Sequence, residues 1–315
     1  MPLLNRSTKH SERAASPDSL GVEPEFVERA NVADVKSRSS LFATCANPGC
    51  RSGWLHVWRR TSAPVFEGGW SCSIECTRDR IALAVRRECE GRSISTEDHR
   101  HRIPLGLLML EQGWITQDQL REALQAQRSA GKGRLGQWLV AHGAVEESMV
   151  TRALALQWSC PVLPLERNAP CRLASVMPRL FLDAFGALPI RVAAGKVLYL
   201  GFEEGLDRTL ALATERMTGL RVESGVVQES NFRRVHEHLL KQPFPHIELV
   251  EAVSEMAASH VLAKSVERLR PVASRLVRVH DCLWLRMWLL PLLNPLPEID
   301  SVYDIVCSIG TDFHL

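Results

Sequence analysis

Two stretches in the middle of the chain share one pattern of apolar and polar positions. Residues 104–127 read PLGLLMLEQGWITQDQLREALQAQ, and residues 134–157 read RLGQWLVAHGAVEESMVTRALALQ. In each stretch a short apolar segment runs up to a glycine, Gly113 or Gly143, where a helix C-terminus needs a left-handed residue. An amphipathic segment follows, with apolar residues three and four positions apart. The pattern predicts an internal repeat in which each copy is a short helix, a stop and a longer helix.

The pattern changes after the repeat, where short apolar runs alternate with helical periodicity. Leu188–Val192 and Val197–Phe202 are predicted strands joined by Ala-Ala-Gly, which is a hairpin signal. A helix, a strand and a helix are then predicted at Asp207–Met217, Arg221–Gln228 and Glu229–Leu240. Strands separated by helices indicate a small α/β layer. We therefore assign residues 104–162 to the helical repeat and residues 163–242 to an α/β subdomain.

The two ends of the chain have weaker patterns. Residues 1–40 are polar and lack apolar periodicity, which predicts a disordered tail, and residues 93–103 form a similarly polar linker. Residues 243–315 carry helical periodicity through Val250, Val253 and Met256, which predicts a mainly helical region.

Composition narrows the function classes without selecting one. The chain has 315 residues, of which 45% are hydrophobic and 23% are charged, and its net charge is +2. These values are typical of a globular protein and provide no general attraction to nucleic acid or membranes. The N-terminus lacks the apolar core of a signal peptide. The most apolar stretch, residues 282–293, is interrupted by Arg286 and Pro291 and is too short to cross a bilayer. We therefore expect a cytoplasmic protein without a membrane span.

Four of the nine cysteines are clustered in the sequence. Cys45 and Cys50 are followed, after 21 residues, by Cys72 and Cys76. Two closely spaced thiolate pairs provide the four soft ligands that Zn²⁺ prefers in a tetrahedral site. The turn sequence Asn-Pro-Gly lies within the first pair, and the second pair opens a predicted helix, so residues 41–92 look like a treble-clef zinc finger. We predict a structural zinc ion, because four protein thiolates leave no position for a catalytic water.

Two alternatives remain open at this point. The four cysteines could be core residues without a metal, although a unit of about 50 residues is barely stable without a cross-link. The arginines of residues 41–92 could contact phosphates, so the alternative function is a zinc-finger protein that binds nucleic acid and uses the repeat for oligomerisation. Solvated surface arginines are the commoner explanation, and nucleic acid is not the expected partner. The predicted fold class is α+β and multidomain: a small four-cysteine zinc finger, a tandem helical-hairpin repeat, a small α/β subdomain and a C-terminal mainly helical region.

The repeat resembles the tandem motif of a known family. Its copies match, in whole or in part, the form R-L-G-x-x-L-V-x-x-G followed by L-x-x-A-L-x-x-Q. The match continues through Cys160–Leu165, Leu188–Val192 and Thr218–Val222, over roughly 137 of the 315 residues. The form is similar to the MshE-type N-terminal domain of type II secretion and type IV pilus assembly ATPases. In that family the two copies act together as a module that binds cyclic di-GMP.

The resemblance implies a cyclic di-GMP site built from both copies. Copy one retains Leu105, Gly106, Leu110, Gly113 and Gln127, and copy two retains Arg134, Leu135, Gly136, Leu139, Val140, Gly143 and Gln157. Copy one has Pro104 where the motif has arginine, and Arg102 lies two residues earlier. Because a guanidinium can stack on guanine or bond a phosphate, this departure predicts weaker binding on the side of copy one.

The phosphate-binding loop G-x-x-x-x-G-K-[ST] does not occur in this sequence. ATP hydrolysis by such ATPases requires that loop. The sequence also has no recognisable acid–base pair or activated nucleophile, so we expect a protein without enzymatic activity. We predict a regulatory or adaptor protein that senses cyclic di-GMP and docks onto secretion or pilus assembly proteins. The sequence leaves self-association open.

Overall fold

The computed structural model describes residues 45–51, 64–90, 102–165 and 171–310. The predicted tail, residues 1–40, lies outside these ranges, as does most of the predicted linker. The described residues belong to one compact unit and form three sheets, of two, three and four strands, together with α-helices. The α+β class predicted from the sequence is confirmed.

The cysteine-bearing segment forms a short hairpin and a helix. These elements are β1 (Val65–Phe66), β2 (Gly69–Trp70) and α1 (Ile74–Glu90), and the two strands pair antiparallel. Helix α1 buries one face, which includes Ile81 and Val85. The second cysteine pair opens this helix as predicted, with Cys76 in the first turn.

The repeat forms four helices in the predicted order of short, long, short and long. They are α2 (Leu105–Glu111), α3 (Gln117–Ala130), α4 (Leu135–Ala141) and α5 (Glu147–Trp158). Gly113 and Gly143 follow the two short helices with φ of +69° and +68°, the left-handed conformation predicted for them. Thr116 caps α3 and exchanges hydrogen bonds with Gln119 at 3.2 and 2.8 Å. The helix–stop–helix prediction for each copy is confirmed.

The segment after the repeat forms a three-stranded sheet with helices. Its elements are a 3₁₀ helix (Cys171–Ser175), α6 (Arg179–Ala184), β3 (Ala187–Ala193), β4 (Val197–Phe202), α7 (Arg208–Thr218), β5 (Arg221–Val226) and α8 (Glu229–Leu240). Strands β3 and β4 pair antiparallel, and β5 pairs parallel to β4. The side chain of Asp207 caps α7, and Gly219 ends that helix with φ of +75°. The predicted hairpin, helix, strand and helix are confirmed.

The described part of the C-terminal region, residues 243–310, is a four-stranded sheet with one α-helix, so its prediction as mainly helical is wrong. Its elements are β6 (His246–Ala252), α9 (Glu255–Leu269), β7 (Ala273–Val279), β8 (Cys282–Trp288), a 3₁₀ helix (Ile299–Ser301) and β9 (Val302–Ile309). The strand order is β6-β9-β8-β7, with β6 parallel to β9 and the other neighbours antiparallel. Strand β8 is buried along its whole length. Its sequence therefore lacks the alternation of apolar and polar residues that marks a half-exposed strand.

The four-stranded sheet lies between two cores. On one face, Leu285 and Ile305 pack with Leu262 of α9 and Ile81 of α1. On the other face, Trp284 belongs to the core of the α/β subdomain. Successive side chains of a strand point to opposite faces, which accounts for this division. Residues predicted as two separate domains, 41–92 and 243–315, therefore contribute to one common core.

A buried ion pair fastens the sheet to the α/β subdomain. Arg286 donates to both carboxylate oxygens of Asp304 at 2.8 and 2.7 Å, and to the main-chain carbonyls of Ser175 and Val176 at 2.9 and 2.8 Å. The indole N–H of Trp284 donates to the same carboxylate at 2.8 Å. Because both charges are paired and hydrogen-bonded, this arginine is accommodated within an otherwise apolar strand.

A second buried carboxylate connects α1 to α7. Glu88 accepts hydrogen bonds from the guanidinium of Arg216 at 2.9 and 2.5 Å, and also from Arg87 at 3.0 Å. Burial alone would raise the pKa of Glu88, but the bonds from Arg216 and the charge of Arg87 lower it. The ionised carboxylate thereby ties the cysteine-bearing helix to the α/β subdomain.

Candidate functional site

The four predicted zinc ligands lie together. The Sγ atoms of Cys45, Cys50, Cys72 and Cys76 are all within 4.8 Å of one another. The sulfur of Cys72 lies 3.5 Å from that of Cys50 and 3.6 Å from that of Cys76. Four sulfurs placed tetrahedrally about 2.3 Å from one zinc ion are about 3.8 Å apart, so these separations fit a shared ion. The four cysteines could therefore bind a metal ion.

Local backbone turns bring the cysteines together. The carbonyl of Asn47 accepts from the N–H of Cys50 at 3.0 Å, which closes a tight turn between the first two ligands. The Asn47 amide donates to Asp79 of α1 at 3.0 Å and so holds the turn against that helix. The N–H of Cys72 donates to the sulfur of Cys45 at 3.4 Å, a contact that favours a thiolate.

The surroundings of two of the four thiols disfavour their ionisation. Burial, and then the neighbouring sulfurs, raise the pKa of Cys72 to about 12, and burial also raises the pKa of Cys45. A thiol with a raised pKa keeps its proton at neutral pH unless a nearby positive charge favours the thiolate. A coordinated metal ion supplies that charge and deprotonates its thiol ligands. A metal ion bound by all four sulfurs would have no position left for a reacting water.

The two copies of the repeat are joined by two equivalent hydrogen bonds. Gln127, at the end of copy one, donates from Nε2 to the carbonyl of Gly133, the residue before copy two, at 2.9 Å. Gln157, at the end of copy two, donates to the carbonyl of Ile103, the residue before copy one, at 2.7 Å. The last residue of each copy is therefore hydrogen-bonded to the residue that precedes the other copy. This reciprocal pattern gives the two copies an approximate two-fold relation.

Gly106 and Gly136 lie where the two copies approach each other. A Cβ on Gly106 would lie 2.7 Å from Leu120 and 3.0 Å from Leu135, and one on Gly136 would lie 2.6 Å from Val150 and 3.7 Å from Leu105. Each glycine therefore meets one residue of its own copy and one residue of the other copy. Leu120 corresponds to Val150 in the repeat, and Leu105 corresponds to Leu135. The shortest of these distances are to Leu120 and Val150, so the absence of a side chain lets each glycine approach the longer helix of its own copy closely.

The predicted nucleotide-site residues differ in their exposure. Gly113, Arg134 and Gly143 are exposed; Leu105, Leu110, Gln127, Leu135, Val140 and Gln157 are half-buried; Gly106, Gly136 and Leu139 are buried. Leu139 is completely buried and belongs to the core of the repeat with Met109. Leu139 therefore stabilises the repeat from inside and does not reach its surface.

The two copies differ at their first residue. Pro104 occupies the N-cap position of α2 and is exposed. Arg134 occupies the same position before α4, and its N–H donates to the side chain of Gln137 at 3.1 Å. Its guanidinium forms ion pairs with Glu203, at 3.2 Å, and with Glu204. These two glutamates were outside the sequence-based prediction, since they lie far from the repeat in sequence and no local motif marks them.

Arg102, which precedes copy one, has a different contact. Its guanidinium carbon lies 3.1 Å from the centre of the Trp158 ring, at the end of α5. This geometry is a cation–π stack between the start of copy one and the end of copy two. Arg102 thus contacts an aromatic ring, whereas Arg134 contacts two carboxylates.

Comparisons with known proteins find similarity over part of the chain. No protein-family model matches the chain. The type IV pilus assembly ATPase PilB of Myxococcus xanthus (strain DK1622) is 26% identical over 145 residues, which are 46% of this chain and 25% of that protein. The chain thus spans about a quarter of the length of this curated relative.

Two solved structures are similar over a comparable share of the chain. The structure of MshE with cdg (cyclic di-GMP) is 26% identical and covers 44% of this chain and 99% of that chain, with a TM-score of 0.36. The N-terminal domain of XpsE is 21% identical and covers 42% of this chain and 91% of that chain, with a TM-score of 0.31.

The sequence match to the pilus ATPase confirms the resemblance predicted from the repeat. Each helix in the described part of the chain is too short or too polar to cross a membrane. Nearly half of the chain is similar in sequence to this type IV pilus assembly ATPase, and a four-cysteine cluster lies in the N-terminal region of the chain.

Proposed function

We propose that this protein is a non-enzymatic regulatory adaptor of the cytoplasm. It senses cyclic di-GMP through the repeat of helices α2 to α5 and docks onto a type II secretion or type IV pilus assembly machine. The observation that carries this proposal is the reciprocal pair of hydrogen bonds from Gln127 and Gln157, which makes the two copies one module. The similarity to a pilus assembly ATPase and to MshE with cdg supports the choice of machine and ligand.

Arg134 is the principal polar residue of this proposed site. A guanidinium can bond the edge of guanine or a phosphate oxygen, and it can stack on the base. Pro104 provides neither contact at the equivalent position of copy one. Loss of one such contact weakens binding about tenfold. We therefore expect saturable binding that is weaker than two complete motifs would give.

The test is calorimetric titration of the full chain with cyclic di-GMP. We expect saturable binding that Arg134→Ala removes or weakens by about tenfold or more. Arg128→Ala is a suitable control, because Arg128 is an exposed arginine near the end of α3. Absence of binding at high micromolar nucleotide would contradict the sensor proposal. Equal loss of binding in both variants would contradict the assignment to Arg134.

We also propose that the four-cysteine cluster holds a structural Zn²⁺. The sulfur separations and the closed set of four thiolates support zinc in this role. We expect about one zinc ion per purified chain, and a lower melting temperature after Cys72→Ser or treatment with a chelator. Cys160→Ser, at a cysteine outside the cluster, is the control. A chain that lacks zinc and is equally stable in chelator would contradict this proposal.

A further inference from the structure

The loop between β4 and α7, residues 203–207, contacts the first residue of copy two. Glu203 is the more buried of its first two acidic residues, with 16% of its side chain exposed against 50% for Glu204. Both carboxylates pair with the guanidinium of Arg134, one at each terminal nitrogen. We call residues 203–207 the acidic loop.

Further charged contacts surround this guanidinium. Glu203 also pairs with Arg233 of α8 at 3.3 Å, and Arg233 pairs in turn with Glu229. Glu229 accepts a hydrogen bond at 2.6 Å from Gln137, which also bonds the main chain of Arg134. Arg134 therefore belongs to a network that joins the repeat, the acidic loop and α8.

This arrangement opposes an anionic ligand in two ways. A phosphate that approaches Arg134 meets a guanidinium whose terminal nitrogens are already paired, and it also meets the negative charges of Glu203 and Glu204. Like charges in close contact repel, and an ion pair must be broken before a competing anion can take its place. Copy one has no equivalent contact, because Pro104 carries no charge.

We propose that Glu203 and Glu204 compete with cyclic di-GMP for the guanidinium of Arg134. Binding of the nucleotide then separates the two carboxylates of the acidic loop from Arg134. This inference rests on the proposed function, since it concerns the regulation of the same site. It adds residues from outside the repeat to those that set the nucleotide affinity.

The acidic loop also contacts other parts of the molecule. Gly205 packs so closely against the ring of Trp158 that no side chain would fit there. Asp207 caps α7 and bonds Nε2 of His280, in the β7–β8 turn, at 2.6 Å. The acidic loop is therefore in contact with the repeat at one end and with the C-terminal sheet at the other. A change at Arg134 has a direct structural route to that sheet.

The test compares cyclic di-GMP affinities by calorimetry at one salt concentration, because ionic strength screens exposed ion pairs. The variant Glu203→Gln/Glu204→Gln keeps the size of both side chains and removes their charge. We expect it to bind about three- to tenfold more tightly than the unmodified chain, since ion pairs with a partly exposed guanidinium have modest free energies. Glu223→Gln is the matched control, because Glu223 pairs with Arg221 on β5 and has 47% of its side chain exposed. This control should bind as the unmodified chain does.

The outcomes separate this inference from the sensor proposal. Tighter binding that disappears when Arg134→Ala is added supports competition. Equal affinities of the unmodified chain and the double variant would overturn competition and leave the sensor proposal intact. A gain in affinity that persists when Arg134→Ala is added would also overturn competition, because it would be a general effect of the lost negative charge.

If neither the unmodified chain nor the double variant binds cyclic di-GMP, the sensor proposal fails. The contact of Arg134 with Glu203 and Glu204 is then tested without nucleotide. A double-mutant cycle in urea combines Arg134→Ala with Glu203→Gln/Glu204→Gln. The changes in the free energy of unfolding should then be non-additive. Strictly additive effects would overturn the ion pairs on which the inference depends.

Discussion

Copy one of the repeat begins with Pro104 and copy two with Arg134, and the neighbouring positions differ accordingly. Gln137 of copy two accepts a hydrogen bond from the N–H of Arg134, whereas the equivalent residue of copy one is Leu107. Proline has no N–H to donate, so copy one does not need a polar residue at that position. By contrast, the copies use equivalent glutamines and glycines where they meet each other.

This difference separates two constraints on the repeat. The contacts between the copies join the two halves of the repeat, and both copies have them. The first residue is exposed in both copies, and it can vary without disturbing the core. A repeat that kept its fold and lost the charge at one of these two positions would still pack correctly, although its two halves would contribute unequally to ligand binding.

The largest expected effect concerns the buried cores of the copies. Met109 and Leu139 occupy equivalent positions, and both are completely buried. We expect Met109→Ala and Leu139→Ala each to lower the free energy of unfolding by about 2–5 kcal/mol, because each leaves a cavity. Urea unfolding of the two variants measures this. A near-zero effect for one variant would show that the copies are not equivalent in their cores.

The second effect should distinguish the copies. Gly136→Ala brings a methyl group against Cγ1 of Val150, next to a stiff β-branched centre, whereas Gly106→Ala meets the ends of two leucine side chains. We expect Gly136→Ala to lower the free energy of unfolding by about 1–2 kcal/mol. Gly106→Ala should lower it by less, because the ends of leucine side chains can move. Thermal unfolding of both variants provides the comparison. The reverse order would contradict this account of the contact.

A third effect should be equal in the two copies. Gln127→Leu and Gln157→Leu each remove one side-chain hydrogen bond to the residue before the other copy. Each should lower the free energy of unfolding by about 1 kcal/mol. Gln125→Leu, at an exposed position on the same helix as Gln127, is the control and should have little effect. Chemical denaturation of the three variants measures the values. Clearly different changes in the free energy of unfolding for Gln127→Leu and Gln157→Leu would contradict the approximate two-fold relation.

The smallest effect involves pH, through the acidic loop that contacts copy two. The hydrogen bond to Asp207 raises the pKa of His280 despite its partial burial. Burial would raise the pKa of Asp207, but the bond from His280 lowers it. The stabilisation from His280 is present below its unfolded pKa of about 6.5 and is lost as pH rises through its folded pKa. The stabilisation from Asp207 is present above its unfolded pKa of about 3.9 and is lost as pH falls through its folded pKa.

We therefore expect the melting temperature to fall slightly between about pH 6 and pH 8. His280→Gln should flatten that slope, because it removes the titrating partner of Asp207. Melting curves across this pH range provide the measurement. An unchanged slope in His280→Gln would show that the Asp207 contact contributes no pH-dependent stability.

The sequence was informative where a structure depends on residues close together in the chain. The helix stops at Gly113 and Gly143 require local conformations that glycine adopts, and they were predicted correctly. The grouping of Cys45 and Cys50 with Cys72 and Cys76 was likewise predicted from short spacings and turn residues. Such signals are visible without knowledge of the tertiary fold.

The sequence was misleading where both faces of an element are buried. Strand β8 has seven buried residues and no period of two, so its apolar run could not be distinguished from a buried helix. The apparent helical period through Val250, Val253 and Met256 crosses the end of β6 and the start of α9. The pairing of Arg134 with Glu203 and Glu204 depends on the placement of the α/β subdomain, which no local pattern records.

The core that α1 shares with β9 has a consequence for biosynthesis. Ile81 and Val85 are buried with Ile305 and Cys307, which the ribosome adds near the end of the described chain. At a translation rate of about 5–20 residues per second, these partners are synthesised on the order of ten seconds or more after α1. All four clustered cysteines have been made once Cys76 is added. If the four cysteines hold a metal ion as proposed, they can bind it well before the hydrophobic core around α1 is complete.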